Sequence, residues 1–141
     1  MRNSKPILLV EDDDVDVMTV KRAFADLKIT NRLIHKNNGK DALEFLRTED
    51  GKKPCVIVSD LNMPKMNGLE FLSALKTNDK LKKIPVVVLT ASGEEEDKAK
   101  SFELGVAGYM VKDIDYKKFV EIIGTIDRYW SLSELPNGCD E

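Results

Sequence analysis

The chain has 141 residues, 42% hydrophobic and 33% charged, which suits a single globular, soluble domain with apolar material for a core and excludes a disordered or fibrous polymer. Its 22 basic and 25 acidic residues are mixed along the sequence and leave a formal net charge of −3, so no basic stripe offers itself to nucleic acid. No run of about 18 apolar residues crosses a membrane, the first ten residues are too weakly apolar for a signal peptide, and Cys55 and Cys139 are far apart, all of which leads us to expect a cytoplasmic protein.

In chain order, "PILLV" (Pro6 to Val10) is a continuous apolar run, the pattern of a strand covered on both faces. After the acidic cluster Glu11 to Asp14, the residues Val17, Val20, Phe24 and Leu27 recur at helical spacing, with Asp14 placed to cap the helix. "RLIHK" (Arg32 to Lys36) reads as a weaker strand, "GKDALEFL" (Gly39 to Leu46) as a short helix, and "EDGKKP" as a loop. "CVIVS" (Cys55 to Ser59) is the third strand, followed by a helix with an apolar face of Gly68, Phe71, Leu72 and Leu75. "IPVVVLT" (Ile84 to Thr90) is the fourth strand, with Pro85 at its start, where a missing N–H does least harm. The acidic "GEEED" opens a helix expected to bury Ala99, Phe102 and Val106. "AGYMVK" (Ala107 to Lys112) is the fifth strand, and Tyr116, Phe119, Val120, Ile123, Ile126 and Trp130 form the last amphipathic stripe. These elements assign residues 1–130 to one domain and residues 131–141 to a tail without periodicity.

Strands alternating with helices through short loops predict an α/β fold, a parallel sheet with right-handed crossovers and helices on both faces. Such sheets bind ligands outside the carboxyl ends of their strands. The residues delivered there are Glu11 and Asp12 after the first strand, Asp60 after the third, Thr90 at the end of the fourth and Lys112 after the fifth. Three carboxylates brought together repel one another unless a positive partner joins them, and an all-oxygen donor set that leaves room for water suits Mg²⁺. A magnesium ion, a lysine and a threonine hydroxyl can together neutralise and orient an incoming phosphoryl group. That leaves Asp60 the part of nucleophile, forming an aspartyl phosphate.

The motifs "ILLVEDD", "SDLNMPKMNG", "VVVLTAS" and "GYMVK", in this order and spacing from Lys5 to Trp130, resemble the receiver domain of two-component response regulators. The resemblance implies a flavodoxin-like, doubly wound five-stranded sheet in the order 2-1-3-4-5. It implies Asp60 as phosphoacceptor from a sensor histidine kinase or phosphotransfer protein, with Mg²⁺ held by Glu11, Asp12, Asp60 and the backbone carbonyl of Asn62. Thr90 and Lys112 would contact the phosphoryl group, and Tyr109 would change rotamer with Thr90. A receiver of this kind promotes its own phosphorylation and dephosphorylation and is not an enzyme acting on an external substrate. The output would be a change in protein contacts, because the tail leaves no room for a second domain. The segments "LTASGEEED" and "DRYWSLSELP" further resemble a stand-alone subgroup, some of whose members work with phytochrome-type histidine kinases.

The sequence departs from the family pattern at Lys112, where many receivers have a following proline joined by a cis bond. Here Asp113 follows, so either the loop carries the strain of a non-proline cis bond or the bond is trans and the lysine is aimed differently. Glu11 stands in place of the commoner aspartate. Trp130, Tyr129, Leu132 and Leu135 either form part of a homodimer surface or lie beneath a tail folded back on its own core. His35 reads as structural and Cys55 as a small core hydrophobe. Among other classes, a flavin-binding protein would not place "EDDDVD" where a phosphate must sit, and an aspartate-nucleophile phosphatase needs an acid where this chain has Asn62. A degenerate receiver that binds partners without phosphate is the alternative that shares every element of the fold.

Overall fold

The computed structural model describes residues 5–48, 53–112 and 115–132. Part of the "EDGKKP" loop, the Lys112–Asp113 bond, Leu135 and Cys139 lie outside the described residues, as does the side chain of Leu132. Five strands alternate with five helices: β1 (Ile7–Val10), α1 (Asp14–Asp26), β2 (Leu33–Lys36), α2 (Gly39–Arg47), β3 (Val56–Ser59), α3 (Gly68–Lys76), β4 (Val86–Thr90), α4 (Glu95–Glu103), β5 (Gly108–Val111) and α5 (Tyr116–Leu132). The sheet is wholly parallel, as the alternation of strands and helices predicts, and its order β2-β1-β3-β4-β5 is the one the receiver resemblance implies. None of the described helices is long and apolar enough to cross a membrane.

Because successive side chains of a strand face opposite ways, the continuous apolar strands feed two cores at once. Ile7 and Leu9 of β1 face one layer, where Val17, Val20 and Ala23 of α1 pack with Phe119, Ile123, Ile126 and Trp130 of α5. Leu8 and Val10 face the other, with Ala42, Leu43 and Leu46 of α2 and Phe71, Leu72 and Leu75 of α3. Trp130, 3% exposed, is thus part of the chain's own core, so of the two alternatives for this stretch it does not itself supply the surface patch that a dimer would need, while Tyr129 stays exposed. Cys55 is buried as expected.

Two local expectations are corrected. The cap of α1 is Asp13, not Asp14: the Asp13 carboxylate accepts from the N–H groups of Val15 and Asp16 at 2.8 and 3.1 Å. Only the residue before the helix, in extended conformation, can turn its side chain back onto those free donors. In α4 the inward residue is Ser101, fully buried, while Ala99 is exposed and Phe102 is 55% exposed. Val106 is buried, yet it lies past the end of the helix. The small Ser101 takes the position facing the rest of the fold, which turns Phe102 outward despite its hydrophobicity.

The loop after β3 is held at both ends. Asn67 caps α3 through a reciprocal capping box with Glu70, at 2.9 and 3.0 Å. The Gly68 N–H donates to the Leu61 carbonyl at 2.8 Å, and the Gly39 N–H donates to the Met66 carbonyl at 3.3 Å. Gly68 has no substitute here, since a β-carbon would lie 2.3 Å from the Asp60 carbonyl oxygen. Hence the firm loop that follows Asp60: it fixes where that carboxylate stands.

Candidate functional site at the carboxyl edge

The ladder itself aims the site. The Asp60 N–H donates to the Val10 carbonyl and the Glu11 N–H to the Lys36 carbonyl, both at 3.0 Å, so β1 and β3 end side by side. The Lys112 N–H donates to the Thr90 carbonyl at 2.8 Å and brings the end of β5 to that of β4. Oxygens of Glu11, Asp12 and Asp60 consequently lie within 4.8 Å of one another. Glu11 and Asp60 are buried, while Asp12 is exposed.

Each acid has its own surroundings. One oxygen of Asp60, Oδ1, accepts from the N–H groups of Leu61 at 2.6 Å and Asn62 at 3.3 Å, which leaves Oδ2 for the Lys112 ammonium. The Lys112 ammonium donates to Asp60 Oδ2 at 3.0 Å, to Glu11 Oε1 at 2.7 Å and to Asp16 Oδ2 at 2.7 Å. Glu11 Oε2 accepts from the Asp13 N–H at 3.2 Å. His35 Nε2 donates to the Glu11 carbonyl at 2.7 Å, a structural role as expected.

These contacts decide the charges. Burial pushes Glu11 up to about 7; the Lys112 hydrogen bond opposes the rise and the Asp60 charge adds to it. Burial acts on Asp60 too, but a hydrogen bond with the Thr90 hydroxyl and the Lys112 charge outweigh it and hold the carboxyl below its ordinary value. Lys112 is also desolvated, yet its bonds to Asp16 and Glu11 raise it, so it stays an ammonium. Thr90 is fully buried beside Asp60, and its Oγ1 accepts from the Ser92 N–H at 3.4 Å. The Tyr109 hydroxyl donates to the Ser92 carbonyl at 2.8 Å.

The donor set fits a hard divalent cation. All its ligand atoms are oxygens, and two oxygens on opposite sides of one Mg²⁺ stand about 4.2 Å apart, so carboxylates already within 4.8 Å need move only slightly. Lys112 takes the side formed by Glu11, Asp60 and Asp16, and none of its described ion pairs is with Asp12. Asp16 escaped the sequence reading. Its signal was present, because it lies in the first turn of α1, the helix that starts directly after the acids ending β1.

The family model for the response regulator receiver domain matches residues 7–124. Over 130 residues the chain is 38% identical to the response regulator Rcp1 of Synechocystis sp., covering 89% of this chain and 88% of that protein. Among solved structures, that of the phosphorylated cyanobacterial phytochrome response regulator RcpA is similar with a TM-score of 0.87 and 34% identity, covering 94% of this chain and 99% of that one. The Mn²⁺-bound form of Rcp1 is similar with a TM-score of 0.85 and 38% identity, over 94% of this chain and 99% of that one. With the fold, the carboxyl-edge acids and the sequence match in agreement, the chain belongs to the response regulator receiver family, the phosphoacceptor modules of two-component signalling.

Proposed function

We propose that the chain is a phosphorylatable response regulator that takes a phosphoryl group on Asp60 from a phosphohistidine of a sensor kinase or phosphotransfer protein. The observation that carries this reading is the convergence of Lys112 and Thr90 on Asp60, whose Oδ1 is held by backbone N–H groups and whose Oδ2 meets the Lys112 ammonium, beside Glu11 and Asp12. Asp60 Oδ2 attacks phosphorus, the bond from phosphorus to the donor nitrogen breaks, and the imidazole leaves with the electron pair and takes up a proton. Hydrolysis reverses the modification: water attacks phosphorus, inorganic phosphate leaves and the Asp60 carboxylate is restored. Held by Glu11, Asp12, Asp60 and the Asn62 carbonyl, Mg²⁺ would neutralise phosphoryl oxygens. Lys112 supplies a second positive charge and the Thr90 hydroxyl a hydrogen bond to the incoming group.

Output follows from the short chain of contacts linking Thr90, Ser92 and Tyr109. Drawing Thr90 toward a phosphoryl oxygen displaces Ser92, and with it the acceptor that holds Tyr109, so the surface of α4, β5 and α5 changes. That surface would meet a downstream protein or a second copy. The likeness to RcpA, named as a cyanobacterial phytochrome response regulator, supports a phytochrome-type kinase as donor, and we read the setting as cytoplasmic. The phosphate-independent alternative has no observation in its favour, since every part of the site is present.

Treated with acetyl phosphate and Mg²⁺, the chain is expected to gain one phosphoryl group in an acid-stable, base-labile linkage, read by intact mass. Asp60→Asn should gain none. Equal labelling of both proteins would remove Asp60 from its role.

A further inference from the structure

Within that reading of the site, we propose that Asp16 is a positioning residue: it draws the Lys112 ammonium to the α1 side of the acids, leaving the Asp12 side free for the divalent cation while keeping the lysine against Asp60.

An ammonium has three N–H donors. In this structure all are committed, at 2.7 Å to Asp16, 2.7 Å to Glu11 and 3.0 Å to Asp60. The lysine stem is flexible, and the last ladder bond fixing its backbone is the one from its own N–H to Thr90. Carboxylates, rather than the strand, therefore decide where the charge sits. Two of the three, Glu11 and Asp60, belong to the group within reach of one cation, and an ammonium held by those two alone would be free to turn its remaining donor to Asp12. It would then compete for the space a cation needs. Asp16 prevents this from outside the cluster: its side chain is 33% exposed, against 3% for Glu11 and 9% for Asp60. It is held rigidly, on the first turn of a helix capped by Asp13, and its own N–H is one of the two that cap bonds.

A purely structural ion pair at the rim predicts a small loss of stability and nothing more. Positioning predicts a change in cation affinity that depends on Lys112. The experiment is a calorimetric Mg²⁺ titration of the wild type, Asp16→Asn, Asp16→Glu, Lys112→Gln and the double variant Asp16→Asn/Lys112→Gln, with melting curves in chelator to establish that each is folded. Asp16→Asn should weaken binding by about tenfold, the size of coupling that contacting residues show. Asp16→Glu should recover most of the loss, and in the Lys112→Gln background the same Asn substitution should change affinity by less than about twofold. A wild-type titration from Asp16→Asn overturns the proposal, and so does an equal loss with and without Lys112, which would make Asp16 merely a nearby charge. Intact mass after acetyl phosphate treatment separates this from the function proposed above: if the wild type binds Mg²⁺ yet gains no phosphoryl group, that function fails and the titrations still decide the placement of the lysine. A wild type that binds no Mg²⁺ overturns both.

Discussion

Glu11 keeps its carboxyl group 3% exposed, shares the Lys112 ammonium with two other acids, and rises to about 7 because burial favours its neutral form. The sign of its effect on stability follows. Its folded value lies above the ordinary 4.5, so the folded chain binds this proton more tightly than the unfolded chain. The associated stability is full below about pH 4.5 and is lost as pH rises through 7. Asp60 runs the other way, its contribution present above its ordinary value and lost as pH falls. In chelator, urea unfolding should show the wild type losing on the order of 3 kcal/mol relative to Glu11→Gln between pH 5 and pH 8. A difference that stays flat with pH would show that Glu11 is not held in the environment described. At this scale the sequence was legible wherever a motif placed a residue directly after a strand, as for Glu11, Asp12, Asp60 and Lys112. Asp16 was hidden by its context, because "EDDDVD" is equally the start of any acidic helix and only the reach of Lys112 singles it out.

Among the elements, α3 is the one whose first residue touches the site. The ideal β-carbon of an alanine at Gly68 would lie 2.3 Å from the Asp60 carbonyl oxygen and 2.6 Å from the Leu61 α-carbon, both backbone atoms that cannot swing aside. Gly68→Ala should therefore destabilise the fold by at least about 2 kcal/mol and slow phosphoryl uptake by displacing Asp60. Gly93 has nothing within 4 Å of the same position, and Gly93→Ala should stay within about 0.5 kcal/mol. Urea unfolding of the two variants checks both, and equal stability would mean that the loop yields where we describe it as fixed. The strands and most helices were readable because their apolar runs are long relative to the ambiguity of their ends. The face of α4 was not: its nine residues include few apolar ones, and the inward position fell to Ser101 by fit rather than by hydrophobicity.

For the whole molecule, the sheet separates two layers that meet the site differently. Tyr109 packs with the α2 and α3 layer, whereas Trp130 lies in the α1 and α5 layer beside Ile7 at the start of β1. Ile7 precedes Glu11 by four residues, about 13 Å of strand, and α5 runs away from the carboxyl edge to reach it. Trp130 is the single tryptophan of the chain, so its emission reports on that distant, buried position alone. If phosphorylation acts through Thr90, Ser92 and Tyr109, the change passes to the outer surface of α4, β5 and α5 and leaves the packing beneath α5 at Trp130 intact. Trp130 emission should then differ by only a few per cent after Mg²⁺ or acetyl phosphate, and shift to the red only on unfolding. Amide exchange across residues 91–111 should change on phosphorylation in the same samples. A large change in Trp130 emission on phosphorylation, with exchange at residues 91–111 unaltered, would route the signal through the α1 and α5 layer and overturn the output path proposed for Tyr109.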